Sequence, residues 1–401
     1  MTDQHTSVAL AVSEAERQEV YRFRYAVYVE EMGKSPPDAD HERRELTDRF
    51  DVSASLYVLR DGDGALVGTL RFNRLAALAS AREALRPIAL EPLLEQAPLE
   101  ALSYTSRLML RADWRGGGSL GLLFNRCFAD ALDQGIRLDL CHAHPGLIEL
   151  YEQLGYRRFC AGIAWPGVGY QVPMLLALRD RDHLRRSRSP LMRHPALARC
   201  VDAEGAAEAD GIWLDQQSQR YWGLNHRLVD PDQFWELAGE ALRRPGQGLP
   251  LLQGLSDEQS RRLLKTGTVL QCAAGDRIVS EGEPRQDLFV VMEGFAEVSR
   301  QHQGQRLELA VLKPGDVFGE MGFLGRRQRS ADVVAATDMR VLVLTQAFLN
   351  KALRTQPDAM ALVLRNLALV LSERLSSTTE RLLQLSWDAP DDDQPQRRRL
   401  L

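Results

Sequence analysis

Between Tyr104 and Gly135 the sequence reads YTSRLMLRADWRGGGSLGLLFNRCFADALDQG, a β-rich run, a glycine cluster at Arg115-Gly116-Gly117-Gly118, and an apolar-periodic stretch with helical spacing. Three successive glycines let backbone N–H groups converge. The helix that follows directs its positive end at the same spot, so this turn can cradle a pyrophosphate or a phosphopantetheine. A glycine-rich loop that merely reverses the chain fits the same pattern.

The elements that must hold such a turn are legible on both sides of it. SVALAV (7–12) reads as a strand, and Ser13 followed three residues later by Glu16 is a capping-box start for a helix running to about Met32. Runs 52–60 and 65–73 form a hairpin around Asp61-Gly62-Asp63-Gly64. A helix near 79–95, strands at 104–110 and 136–142, helices at 119–134 and 145–154, and strands at 156–163 and 170–178 complete an α/β unit over 1–180. Residues 181–247 change texture to arginine-rich and helical and are predicted to be a connector. From 248 to 388, short β-rich runs recur between turn signals (Gly275-Asp276, Gly282, Glu293-Gly294, Pro314-Gly315), the rhythm of a β-barrel or jelly roll closed by a helix at 357–385. Residues 389–401 form a polar tail of disordered composition.

The 401 residues carry 50 Lys+Arg against 55 Asp+Glu, a net charge of -5, which does not favour a basic nucleic-acid or membrane-surface protein. The 5 cysteines show no CxxC pair, so neither a disulfide framework nor a metal site is expected. The N-terminus lacks a signal-peptide pattern, and the longest apolar stretch is broken by Arg365 and Asn366, so a cytoplasmic protein without a membrane span is expected.

The 104–135 run resembles motif A of the GNAT superfamily of acyl-CoA N-acyltransferases, and Leu150-Tyr151-Glu152-Gln153-Leu154-Gly155-Tyr156 resembles its second motif. The superfamily pattern is Arg/Gln-x-x-Gly-x-Gly/Ala. Here Leu120 takes the last position and Gly121 comes one place late, as an insertion at Ser119 would leave it. VYRFRYAVYVEEMGK, Asp48-Arg49-Phe50-Asp51 and Val67-Gly68-Thr69-Leu70-Arg71 narrow the resemblance to N-acyl-homoserine lactone synthases and N-acyl amino acid synthases, although Tyr104 stands where the lactone synthases have glutamate. The resemblance implies an acyl donor, acyl-CoA or acyl carrier protein, at Leu110, Arg115, Gly116, Gly117, Gly118 and Ser119. It implies a substrate-side charge network of Arg24, Asp48, Asp51, Arg71 and Arg107; a purely structural ion network would use the same residues. For the chemistry, Asp48 or Glu31 would take the amine's proton, backbone N–H groups near Leu108–Leu110 would meet the oxyanion, and Tyr151 would protonate the leaving thiolate. Carboxylates are more often salt-bridged, and a tyrosine at a helix-to-strand junction is more often a packing residue.

Phe318-Gly319-Glu320-Met321-Gly322-Phe323-Leu324-Gly325-Arg326-Arg327-Gln328-Arg329-Ser330-Ala331 resembles the phosphate-binding cassette of cyclic nucleotide-binding domains, F-G-E-x-A-L-x4-P-R-x-A, with every spacing kept and with Gly322 and Gln328 replacing the alanine and proline. The resemblance implies that cyclic AMP or cyclic GMP binds at Phe318, Gly319, Glu320, Met321, Arg329 and Ser330. Glu320 would accept from the ribose 2′-hydroxyl, and Arg329 would give a charge-assisted bond to the phosphate. A cassette that keeps the fold and binds nothing is the alternative. Transcription factors of that family append a helix-turn-helix, and the residues after Trp387 hold none, so DNA binding is not expected.

Taken together, the expected architecture is a GNAT-like α/β mixed sheet, a helical connector and a cyclic nucleotide-binding β-barrel or jelly roll with a C-terminal helix. The expected function is cyclic nucleotide-regulated N-acyl transfer to a small-molecule amine, with acyl carrier protein a possible partner and no metal. A cyclic AMP-controlled protein lysine acetyltransferase and a non-catalytic sensor or scaffold are the alternatives. The oligomeric state is left open.

Overall fold

A computed structural model describes residues 6–31, 36–78, 90–115, 118–144, 147–160, 162–165, 169–200, 205–222, 249–264, 268–283, 286–302, 305–325 and 328–387. Gly116, Gly117, most of the helix predicted at 79–95, the connector from 223 to 247 and the tail at 389–401 lie outside the described residues.

Strand β1 (Ser7–Leu10) leads into helix α1 (Glu14–Tyr25), where Ser13 Oγ accepts from the Glu16 N–H and the Glu16 carboxylate accepts from the Ser13 N–H at 2.8 Å. That reciprocal box satisfies two donors a helix start would otherwise leave without partners. The predicted helix to Met32 is only partly α. After Tyr25 it widens into a π-helical stretch, Ala26–Glu31, and Tyr28 on that stretch lies beneath the Arg107 guanidinium, 5.5 Å from it.

A small hairpin, β2 (Ala39–Asp40) and β3 (Glu45–Leu46), precedes β4 (Ser55–Arg60) and β5 (Leu66–Arg74), which pair as expected across a turn where Gly64 has φ +82. Helix α2 (Glu91–Gln96), β6 (Leu102–Leu110), α3 (Ser119–Asp133), β7 (Leu138–Ala143), α4 (Ile148–Leu154), β8 (Arg157–Arg158), β9 (Ile163–Trp165) and β10 (Gly169–Ala177) follow. The strand predicted over 156–163 is thus two pieces. The sheet order is β1-β4-β5-β6-β7-β10-β8, with β9 on β10, and only β6 and β7 are parallel. Their pairing covers Leu102↔Leu138 to Tyr104↔Leu140 and stops there, while β6 continues to Leu110.

Alternation sends Tyr57, Phe72, Cys141 and Leu176 to one face against Phe124 and Phe128 of α3, and Leu102, Tyr104, Leu138 and Leu140 to the other. On that second face sits α7 (Ala206–Trp222), from the segment expected to be a connector, while α5 (Arg181–Arg186) and α6 (Pro195–Arg199) of the same segment pack on the first face through Leu184, Ala196 and Leu197. Fully buried Arg157 donates to Asp180 at 2.6 Å and to Asp215 at 2.7 Å, and Arg137 donates to Asp210 at 2.6 Å. Charge pairs that sequence periodicity does not reveal therefore bind residues 180–215 to the sheet.

The second half packs β11 (Thr268–Cys272), β12 (Arg277–Val279), β13 (Leu288–Glu293), β14 (Ala296–His302), β15 (Gln305–Leu312), β16 (Val317–Phe318), β17 (Asp332–Ala335) and β18 (Met339–Leu344) into two antiparallel sheets, β11-β18-β13-β16 and β12-β17-β14-β15. In β13, Phe289 and Val291 face the core between the sheets. Leu288, Val290 and Met292 face a second cluster built with α10 (Gln346–Thr355) and α11 (Pro357–Trp387), elements that follow α8 (Asp257–Leu264) and α9 (Glu320–Gly325) in the chain. Among the described residues no helix is long and apolar enough to cross a membrane, and no group of His, Cys, Asp and Glu is placed to hold a metal.

Candidate functional site

Where β6 leaves β7, five charged side chains from four elements meet under the sheet. Asp48 caps a short 3-10 turn (Arg49–Asp51) by accepting from the Phe50 N–H, and that turn presents Asp51 alongside it. Asp51 accepts from Arg24 of α1 at 2.8 Å, while Asp48 accepts from Arg71 of β5 at 2.5 Å and from Arg107 of β6 at 2.7 Å. Arg107 reaches in because β6 bulges there: its φ is +53 and the β5–β6 register slips by one residue opposite it. Burial decreases outward, with Arg24 wholly enclosed and Asp48 and Arg107 at the accessible edge, their side chains 10% and 14% exposed.

All five network residues expected from sequence are brought together, and the geometry corrects the role given to Asp48. Burial alone would raise its carboxyl, but the Arg71 and Arg107 guanidiniums override this and hold it far below the usual carboxylate range. A carboxylate so clamped orients the cluster and does not take a proton from an ammonium. Glu31, the other candidate base, stands at the end of the π-helical stretch, partly exposed and paired to Arg115 at 2.5 Å.

On the donor side, Arg115 folds back along the strand end, its Nε donating to the Leu110 carbonyl at 2.9 Å. Gly118 is the N-cap of α3 with no side-chain cap, a Cβ added there would meet open space, and Ser119 is the first helical residue. Tyr151, on α4, is buried with its ring edge-on to Phe124 and Tyr156, and its hydroxyl lies within electrostatic reach of Cys141, Tyr28 and Tyr104 at the strand divergence. Burial pushes that hydroxyl well above its ordinary pKa, so it stays protonated and able to donate.

Tyr104, noted in the sequence only as a departure from the lactone-synthase pattern, and His142, which sequence reasoning passed over, stand beside the cluster. Tyr104 OH and His142 Nδ1 are 3.1 Å apart, the rings edge to face, on the face that Arg71 and Asp48 occupy. Burial lowers the imidazole to about 3 and raises the Tyr104 hydroxyl to about 12, so both are neutral near pH 7. The available signal was strand parity: His142 shares its face of β7 with Leu140, opposite Tyr104. Behind the sheet, Asp139 accepts from Thr105 at 3.0 Å and from Ser103 and Tyr156, and burial lifts its carboxyl to about 6 against those hydrogen bonds.

The second site is built around one arginine. Arg329, 4% exposed, donates to the carbonyl oxygens of Gly319 and Asp287 at 2.7 Å each and lies over the Phe289 ring, which stacks on Phe318 at 4.8 Å. Gly319 has φ +81, and a Cβ there would collide with the guanidinium, so no other residue lets the backbone approach this closely. Glu320 starts α9 and faces Arg374 of α11 at 3.6 Å, and Ser330 Oγ rests on the sulfur of half-exposed Met321. A buried cation beneath a glycine turn, with a carboxylate alongside, suits a ligand carrying both a phosphate and hydroxyl groups.

Comparison with known proteins matches a family to each half of the chain. A family model described as an acetyltransferase (GNAT) domain matches residues 23–125, and one described as a cyclic nucleotide-binding domain matches residues 269–356. The chain is 34% identical over 143 residues to the cyclic AMP receptor protein of Thermus thermophilus, covering 35% of this chain and 64% of that protein. It is 35% identical over 136 residues to glutaminase 2 of Bradyrhizobium diazoefficiens, 34% of this chain and 21% of that one. The crystal structure of the Thermus thermophilus catabolite activator protein aligns at 35% identity and a TM-score of 0.31, over 34% of this chain and 63% of that chain. The chain thus spans less than two thirds of each of these relatives. It carries a GNAT acetyltransferase domain followed by a cyclic nucleotide-binding domain.

Proposed function

We propose that this chain is a cyclic nucleotide-regulated N-acyltransferase that moves an acyl group from acyl-CoA or acyl carrier protein to the amine of an amino acid or a similar small molecule. The observation that carries this reading is the buried cluster beside the β6–β7 divergence, in which three guanidiniums face two carboxylates. Its surplus positive charge, nearest solvent at Arg107, favours an acceptor that brings its own carboxylate. The thioester carbonyl lies at the divergence, where backbone N–H groups of β6 near Leu108–Leu110 meet the oxyanion. The amine, its ammonium proton passed to water along the Tyr104–His142 side, attacks the carbonyl carbon. The C–N bond forms, the C–S bond breaks, and the Tyr151 hydroxyl protonates the departing thiolate and is restored by the second proton the nitrogen sheds as it becomes an amide. Alignment of the two substrates by the ion cluster and the strand end supplies much of the rate.

Mass spectrometry of products from short and long acyl thioesters mixed with amino acids and a cell lysate, with and without cyclic AMP, tests the reading. An N-acyl small molecule whose yield moves with nucleotide is the expected result. Acetylated protein lysines would replace the acceptor class, and no acylated product from any donor would leave a sensor joined to a silent fold.

A further inference from the structure

Helix α4 carries Tyr151, and the nucleotide domain holds it from both ends. Just ahead of the helix, His144 Nε2 stands 3.2 Å from Asp287 Oδ2, with only 14% and 11% of the two side chains exposed. Just past it, buried Arg158 donates from Nε to Glu152 of α4 at 3.0 Å and from Nη1 to the Val269 carbonyl of β11 at 2.7 Å. Between these bonds, β10 of the acyltransferase sheet packs against β12.

Asp287 has a second attachment: its backbone carbonyl accepts from Arg329, the buried arginine of the phosphate-binding cassette. One residue therefore bonds to the effector site through its main chain and to the acyltransferase side through its carboxylate. We propose that Asp287 is the joint through which cyclic nucleotide controls the α4 segment, a route that rests on the regulatory reading above. A cyclic phosphate offers Arg329 a charge-assisted bond, about twice as strong as one to a neutral carbonyl. Nucleotide binding draws the guanidinium off Asp287, the backbone at 287 shifts, and the hold on His144 changes with it. Arg158 anchors the other end of the segment, so the change is felt between residues 144 and 158, where Tyr151 lies.

Hydrogen exchange of the full chain with and without saturating cyclic AMP, with nucleotide binding measured separately by calorimetry, tests the joint. In the wild type, exchange in peptides spanning 144–158 changes with nucleotide, and acyl transfer moves by a factor within the usual allosteric range of about 5–150-fold. Asp287→Ala keeps the backbone carbonyl and still binds cyclic AMP, but the 144–158 response is lost. His144→Ala loses it from the other side, and the double variant goes no further than either single one. Asp287→Asn, nearly isosteric, repeats the test should alanine unfold the domain. A 144–158 response that survives in these variants, or nucleotide binding by the wild type without one, overturns the joint and leaves the nucleotide site standing. A wild type that binds neither cyclic AMP nor cyclic GMP overturns both.

Discussion

Arg24 and Arg329 are both buried, at 0% and 4% exposure, yet they are held in opposite ways. Arg24 rests on the Asp51 carboxylate, whereas Arg329 rests on two backbone carbonyls. A carboxylate cancels a guanidinium's charge, while a carbonyl dipole only solvates it. Desolvation still lowers Arg24 to about 10 despite its partner, so the pair is a fixed fitting whose halves need each other. A charge-assisted bond to a phosphate is about twice as strong as one to a neutral carbonyl, so Arg329 gains by exchanging the Gly319 and Asp287 carbonyls for a phosphate. The first arrangement suits a rigid floor for catalysis, the second a sensor.

The largest expected effect comes from breaking the first arrangement. Asp51→Ala strands Arg24 inside the protein and should cost about 3–5 kcal/mol, read as a lower denaturant midpoint of the first domain. A loss below about 1 kcal/mol would mean that water or another group replaces the carboxylate, and the claim of a rigid floor would fall.

Asp139 sharpens the comparison as a buried carboxyl that accepts from three hydroxyls, those of Ser103, Thr105 and Tyr156. Its folded pKa of about 6 exceeds its ordinary value of 3.8, so the folded state holds the proton more tightly. The stability this gives is fully present below about pH 4 and is lost as pH rises through 6, a difference of about 3 kcal/mol for two pKa units. Asp139→Asn removes that titration. Between pH 4 and 8 the wild type should lose stability relative to the variant, and parallel pH profiles would show that the carboxyl is not isolated as described.

Arg329→Ala tests the second arrangement directly. Losing one charge-assisted phosphate bond, about 1.5–3 kcal/mol, should weaken cyclic nucleotide binding about 10–150-fold in calorimetry. An unchanged affinity would place the phosphate elsewhere. The fold should suffer less than in Asp51→Ala, because the Gly319 and Asp287 carbonyls that lose a donor are neutral, whereas Asp51→Ala leaves the charge of buried Arg24 behind.

How far each site was legible in the sequence follows from how local it is. The cassette runs from Phe318 to Ala331 in one stretch, with its glycine turn and arginine at fixed spacing, so its residues could be named before its geometry. The members of the ion cluster were also nameable, but not their roles. Asp48 resembles a base until Arg71 and Arg107, 23 and 59 residues away, are seen on its two oxygens. Tyr104 with His142, Arg157 with Asp215 and His144 with Asp287 join distant positions whose local patterns are those of ordinary strand and helix residues. The same distance hid the packing of residues 181–222, which read as a connector because their arginines and aspartates look solvated until their partners on the sheet are known.

The smallest effect expected is at the margin of the cassette. Glu320 faces Arg374 across 3.6 Å, a partly exposed pair, and Arg374 also donates to the Val317 carbonyl at 2.8 Å. Such pairs contribute about 0–1 kcal/mol, so Arg374→Met should barely move the unfolding midpoint. It should tighten nucleotide binding by a few-fold, because Glu320 no longer has to exchange a cation for a ribose hydroxyl. Weaker binding would reverse this reading: Arg374 would then touch the nucleotide itself, and α11 would be part of the site. The contrast between arginines held by carboxylates and arginines held by carbonyls would then extend to a third, half-exposed case, in which one guanidinium serves as strut and as ligand.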